Sequence, residues 1–205
     1  MNQGIIRLTK KHVKLAGEVL GRALCDDPII VYLIPDKERR HRLVKNIYQM
    51  VSCSGVRYGE VYANSPNLEG VAIWHYYKEF HEEKFWGKLI CSIKGKIYKL
   101  GLGVARKFKP MEEYMHKVHK ELVPGEHWYL YVLGVEPSLQ GNGHGSYLMK
   151  DKLEDIDQQG ISAYLETSLE RNIKFYEKHG FHLIKEGNIL ETGVYQYFML
   201  REPRR

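Results

Sequence analysis

Apolar residues fall into short, separable periods along the chain. Ile5-Ile6-Arg7-Leu8 reads as a strand ending at Thr9, a residue type suited to a helix N-cap. From Lys10 to Leu24 the positions Val13, Ala16, Val19, Leu20, Ala23 and Leu24 keep helical spacing, and Asp26-Asp27-Pro28 breaks the run. Ile29 to Ile34 is a short apolar segment closed by Pro35-Asp36. A second helix is predicted from about Lys37 to Arg57, with Leu43, Ile47, Met50 and Val51 on one face. Strands Glu60–Ala63 and Glu69–Tyr76 follow, joined by the turn-rich Asn64-Ser65-Pro66-Asn67.

The segment from Tyr77 to Val123 predicts two helices, about Glu83–Leu100 and Val104–Leu122, around a Gly101-x-Gly103 break. After Pro124-Gly125 the pattern sharpens. His127 to Val135 is a strand rich in aromatic and branched residues, and a glycine-rich turn leads into a helix from Gly143 to about Gln159. Ile161–Thr167 is a strand, Arg171–His179 a short helix ended by Gly180, and Phe181–Ile184 and Val194–Leu200 two further strands. With no repeat and no low-complexity linker, residues 1–205 read as one α/β domain with a helical insertion at about 78–122.

Composition narrows the class without deciding the chemistry. Hydrophobic residues make up 43% and charged residues 27% of 205, the balance of a globular protein and not of a disordered, collagen-like or coiled-coil chain. No apolar run approaches the roughly 18 residues that span a bilayer, and the N-terminus lacks a signal-peptide pattern. Cys25, Cys53 and Cys91 form no C-x-x-C pair and read as reduced thiols of a cytoplasmic chain, with no zinc site among them. The histidines, His116, His119 and His182 included, show no ligand spacing, so no metal is expected. A net charge of +6 suits an anionic small molecule as well as a nucleic acid. Between Lys84 and Pro110 there is no acidic residue, and lysines interleave with Phe85, Trp86, Leu89, Ile90 and Ile93. That pattern fits a membrane surface or an acidic partner, but a helix packed on one face with solvated lysines is the simpler reading.

The densest chemical signal is Gln140-Gly141-Asn142-Gly143-His144-Gly145-Ser146, between a strand and a helix. Glycines leave backbone N–H groups unobstructed, and the helix start adds positive potential, which together make a cradle for a pyrophosphate. A P-loop would need a lysine that is absent. A dinucleotide fingerprint counted from Gly141 places Ser146 at its last glycine.

This loop, with its surroundings, resembles the GNAT superfamily of N-acetyltransferases. Gln140-Gly141-Asn142-Gly143-His144-Gly145 meets the family pattern [QR]-x-x-G-x-[GA] in full. Asn172 and Tyr176 on one helix, followed by Gly180-Phe181, match a second family feature. The close resemblance covers about Trp128 to Phe181, and its phrase Leu165-Glu166-Thr167-Ser168 is similar to the branch containing puromycin acetyltransferase. It implies a mixed, mostly antiparallel sheet of about seven strands flanked by helices, and acetyl-CoA as cosubstrate. The pyrophosphate would lie on the N–H groups from Gly141 to Ser146, in the loop opened by Gln140. The pantetheine arm would run along Leu133, Gly134 and Val135, where the central strand splays from its neighbour, and Asn172 would bond the arm or a water beside it.

The reaction implied is direct attack of an amine on the thioester, with Tyr176 as general acid to the departing thiolate. Tyr129 stands where many members place a Glu, so no carboxylate base comes from that position. Glu166 is the first choice of base, with His127, Glu60 or a water chain as alternatives. Tyr32, Tyr48, Trp74, Tyr195 and Tyr197 could line an acceptor pocket for an amine on an aromatic or apolar body, although core packing is the ordinary role of each. The reading is a small-molecule amine acceptor, no nucleic acid, no membrane insertion, and a monomer or homodimer. The other functional classes are a peptide N-acetyltransferase and a coenzyme-A-binding module without turnover.

Overall fold

The computed structural model describes residues 4–78, 91–93 and 95–204. Strand β1 (Ile6–Arg7) leads through a single 3-10 turn into α1 (Val13–Ala23), where the Thr9 N–H donates to His12 Nδ1 at 2.9 Å. Pro28–Leu33 is a short helix, α2, capped by the Asp27 carboxylate, which accepts from the Ile29 N–H at 2.9 Å. Then come α3 (Lys37–Tyr58), β2 (Glu60–Ala63), β3 (Gly70–Tyr77), α4 (Leu102–Leu122) and β4 (His127–Val135). The chain ends with α5 (His144–Gln159), β5 (Ser162–Thr167), α6 (Ile173–Lys178), β6 (His182–Asn188) and β7 (Tyr195–Arg201).

The strands form one seven-stranded sheet in the order β1-β2-β3-β4-β5-β7-β6, antiparallel except for β4 against β5. One face, with Val71 and Ile73 of β3, packs on α1 and α3. Farther along that face, Tyr129, Tyr164 and Phe198 lie under Val118 of α4. The opposite face, with Ala72, Trp74, Trp128, Leu130, Ala163 and Leu165, packs on Leu148, Met149 and Ile156 of α5 and on Tyr176 of α6. The period of two in the strands and of about 3.6 in the helices puts these residues on matching faces.

The strongly patterned elements form within a few residues of their predicted bounds. Half of the predicted helix Glu83–Leu100, residues 83–90 and 94, lies outside the described residues, and its last part, Ile97–Leu100, is a 3-10 turn broken at Gly101 with φ +79°. The cysteine expectation is corrected. Cys53 of α3 and Cys91 are joined as a disulfide with Cα atoms 5.5 Å apart, 38 residues apart in sequence, and Cys25 is the free, buried thiol. That proximity is created by packing of the insertion on α3, which no local spacing could reveal. Among the described residues no helix is long and apolar enough to cross a membrane.

Candidate active site

Pairing of β4 with β5 runs from His127↔Ser162 to Leu130↔Leu165 and stops there, although β4 continues to Val135 and β5 to Thr167. Opposite this point the register with β3 slips, with Ile73 facing Val132 and Trp74 facing Leu130. Tyr131 is thus the extra residue of a bulge. Its ring lies 5.5 Å from that of Tyr129 and 5.4 Å from that of His75, so Tyr131 and Val132 both turn to the α1/α3 face. A bulge bends a strand and increases its twist, which accounts for β4 leaving β5 here. The splay of β4 from β5 expected along Leu133, Gly134 and Val135 is present, while on the other side the same three residues stay paired with Ala72, Val71 and Gly70 of β3. The close approach at Gly134 comes from α1, since a Cβ there would meet Leu20 Cδ2 at 2.7 Å and Ala23 Cβ at 3.1 Å.

The glycine loop lies at the end of the splayed strand. Gly141 and Gly143 have φ of +82° and +83°, and a Cβ on either would meet nothing within 4 Å, so the loop offers bare backbone on an open side. Gly143 is the N-cap of α5, and His144, Gly145 and Ser146 form its first turn. Two bonds hold this arrangement. Gln140 donates its side-chain amide to the Val135 carbonyl at 3.1 Å, and Asn64 donates to the His144 carbonyl at 2.9 Å. Gln140 is thereby a brace for the loop, while Asn142 sits exposed at its tip. Gly145 is the close-packed member, its missing Cβ facing Phe175 at 3.4 Å.

Tyr176 is 8% exposed, its ring edge-on to Phe175 and Phe181 beneath the splay. Burial, and then the charge of Asp27, raise its phenol above the usual range, so it keeps its proton. Asn172 donates to Thr167 Oγ1 at 3.0 Å, fastening α6 to the end of β5. Asp27 was missed in the sequence, where it reads as part of a helix breaker. Its carboxyl is pushed up to about 6 by burial, against the backbone N–H groups of Ile29 and Ile30, and its charge also raises the buried Tyr48 of α3. Asp27 belongs to the α1/α3 side and Tyr176 to the α5 side. The two are near enough for the charge of Asp27 to act on the Tyr176 phenol.

Glu166 stands one residue past the last rung of β4–β5. Its Oε1 accepts from the Tyr164 hydroxyl at 2.7 Å and its Oε2 from the Tyr129 hydroxyl at 3.2 Å. Burial pushes the carboxyl up to about 7 despite these two bonds, which favour the anion. The alternative bases are engaged elsewhere. Glu60 forms ion pairs with Lys152 at 2.8 Å and Arg7 at 3.3 Å. His127 is at the far end of β4, where Nδ1 meets the Gly125 carbonyl at 2.6 Å and Nε2 meets His119 Nε2 at 2.7 Å. Burial lowers both imidazoles, His119 to about 3.

Comparison with known proteins agrees with this geometry. Residues 58–181 match the model of the acetyltransferase (GNAT) family. The chain belongs to that family. It is an acetyl-CoA-dependent acyltransferase. It is 26% identical over 210 residues to an uncharacterized N-acetyltransferase of Schizosaccharomyces pombe, covering 96% of this chain and 82% of the relative. Its fold is shared with an acetyltransferase of Corynebacterium glutamicum described as a histone acetyltransferase HPA2 and related protein (TM-score 0.66, 17% identity, 100% and 98% of the two chains). It is shared also with the polyamine N-acetyltransferase of Drosophila melanogaster (TM-score 0.63, 12% identity, 97% and 98%) and with arylalkylamine N-acetyltransferase 2 of Aedes aegypti (TM-score 0.60, 12% identity, 98% of each).

Beside the loop the acetyltransferase has a cavity of about 390 Å³ whose walls include Ser146, Tyr147, Lys150, Lys178, His179 and Arg204. His179 Nε2 is buried there with no hydrogen-bond partner among the described residues. Its cations Lys150, Lys178 and Arg204 come from α5, the end of α6 and the C-terminus, a convergence with no sequence motif, while burial and the neighbouring arginines lower the His179 imidazole. Glu154 and Asp157 line the cavity too: Lys150 pairs with Glu154 at 3.8 Å, and Arg201, also in the wall, has both terminal nitrogens on Asp157 at 2.7 and 2.6 Å. Of the expected acceptor aromatics, Trp74 is wholly buried in the core and Tyr48 is buried against α3's neighbours. Tyr32 lies under Lys107 of α4, and Tyr195 and Tyr197 pair at 5.2 Å. Cys25, Asp26 and His41 bring possible ligand atoms within 4.8 Å of one another, but Asp26 already holds Arg40 at 2.9 Å.

Proposed function

We propose that the enzyme transfers the acetyl group of acetyl-CoA to the primary amine of a small molecule, by direct attack within a ternary complex. The observation that carries this reading is the opening past Leu130 and Leu165, with Tyr176 packed on one face, Glu166 held by Tyr129 and Tyr164 on the other, and Asp27 within electrostatic reach of Tyr176. Residues present fit the donor. Bare backbone at Gly141 and Gly143 suits a pyrophosphate. Lys150, Lys178 and Arg204 suit a further anionic group, and the stretch of β4 unpaired with β5 suits an extended amide-bearing arm. The donor supplies an activated acyl thioester; the protein supplies position and protons.

Asp27 would hold the acceptor's ammonium, and Glu166, poised near neutrality, would take the proton that must leave before the nitrogen can attack. An ammonium beside Asp27 offsets the negative charge that helps to raise Tyr176, so acceptor binding makes the phenol a better acid. Backbone N–H groups of β4 at the splay would stabilise the oxyanion, and Tyr176 would protonate the departing thiolate.

The test is coenzyme A release across a panel of amines, with peptides included. Turnover of small amines above peptides supports the reading. Turnover confined to peptides would move it to a protein N-acetyltransferase. Tight donor binding with no turnover on any amine would mark a binding module.

A further inference from the structure

The larger described cavity, about 460 Å³, lies away from the glycine loop, between α1 and α3. Lys10, Lys14, Lys45, Arg57 and Lys96 line it, with Glu18 as the single carboxylate among its walls. Cys53 lines it as well, and Cys53 is half of the disulfide. Cys91, its partner, is 1% exposed and is not part of the wall. Five cations thus share a cavity with one sulfur-bearing residue of a disulfide, an arrangement that the acetyl-transfer site described above does not use.

We propose that Cys53–Cys91 is a reversible modification site for a small anionic thiol, which enters this cavity and exchanges with Cys53. The incoming thiolate sulfur bonds to Cys53 Sγ, and the Cys53–Cys91 bond breaks with its electron pair going to Cys91 Sγ, which takes up a proton. The incoming sulfur is oxidised from thiolate to disulfide, Cys91 is reduced from disulfide to thiol, and no other oxidant or reductant is needed. The surrounding cations concentrate an anionic thiol and favour its thiolate form. The enzyme's own chemistry releases such a thiol, coenzyme A, at every turnover. A carboxylate-bearing tripeptide thiol of the glutathione type shares the chemistry.

Exchange would act on the wall of the molecule. The stretch around Cys91 lies directly on α3, where a Cβ at Gly95 would meet the Asn46 carbonyl at 2.6 Å and Met50 Cβ at 2.8 Å. Ser92 Oγ is 3.6 Å from Met50 Sδ. Leu100 and Val104, farther along, pack with Leu33, Ile34 and Leu43. Opening the disulfide leaves those contacts to hold the insertion without its covalent tie.

The experiment begins with a thiol count on the purified, oxidised enzyme. It then measures exchange with coenzyme A, glutathione and uncharged 2-mercaptoethanol at equal thiolate concentration, by intact mass and peptide mapping. The expected product is a mixed disulfide on Cys53, formed about tenfold or more faster by the anionic thiols than by the neutral one, each relative to a small model disulfide. Lys14→Glu with Lys45→Glu, both at exposed lysines, should erase most of that advantage while leaving the neutral rate unchanged. The faster of the two anionic thiols identifies the source. Adducts on Cys91, equal anionic and neutral rates, an advantage that survives charge reversal, a disulfide inert to all three thiols, or free thiols at the outset would each overturn the proposal.

Discussion

The hydroxyl of Tyr129 donates to Glu166 Oε2 at 3.2 Å, bridging β4 and β5 beside the point where their pairing ends. Tyr129, at the β4 position where the resemblance leads one to look for a carboxylate, thus orients a carboxylate on β5. Tyr164 donates to the other oxygen at 2.7 Å, so two phenols orient an acid that burial holds near neutrality.

This arrangement sets a pH dependence. The base role proposed for Glu166 requires the ionised carboxylate, so kcat/KM should fall as pH drops through about 7. Glu166→Gln should lower kcat and remove that limb of the profile. A pH–rate curve that keeps the limb in the variant would assign it to another group.

The same shift has a signature in stability. With its folded value above the unfolded value of about 4.3, Glu166 binds more proton in the native state, so its contribution falls as pH rises from about 4 through 7. Above pH 7 Glu166→Gln should therefore gain about 1–3 kcal/mol over the parent, and the gain should vanish near pH 4. Denaturant melts at both pH values measure it.

Tyr176→Phe keeps the ring and its packing on Phe175 and Phe181, so folding and donor affinity should survive. General acid catalysis contributes about 10²–10⁴-fold, and a thiolate is a fair leaving group, so kcat should fall toward the lower end of that range. Wild-type turnover beside unchanged donor binding, measured on one sample, would leave Tyr176 as packing.

Gly134 and Gly143 should respond differently to substitution. Gly134→Ala drives a Cβ into Leu20 and Ala23 of α1, and should cost about 1–3 kcal/mol of stability. Gly143→Val meets open space, but it forces a β-branched residue to φ +83° in the loop, so its main effect should be a large loss of acetyl-CoA affinity. Melting curves and calorimetry on both variants separate the two causes.

The sequence made legible those parts whose physics is local. Alternating aromatic and branched residues marked β4, glycines marked the loop, and the spacing of Asn172 and Tyr176 marked α6. Six residues from Pro28 to Leu33 are too few for a helical period to stand out, so α2 was read only as an apolar segment. Asp27 looked like punctuation, because its charge bears on a phenol 149 positions away in sequence, Tyr176, that only the tertiary fold brings near. The bulge at Tyr131 is hidden in an unbroken run of strand formers, since register is a property of two strands. Cys53 and Cys91 were unreadable for the same reason.

An unpaired strand margin is a standing invitation to aggregate when it lies at the rim of a sheet. In this protein one such margin lies at the centre, along β4 beyond Leu130, with α1 closing one side through Gly134 and α5 the other through Gly145. Another polypeptide would have to bring its own side chains through those two helices to dock there. A slender ligand with amides on a flexible chain needs no such clearance. The placement of the break therefore keeps a strand-pairing surface available to a small molecule while denying it to neighbouring copies of the protein.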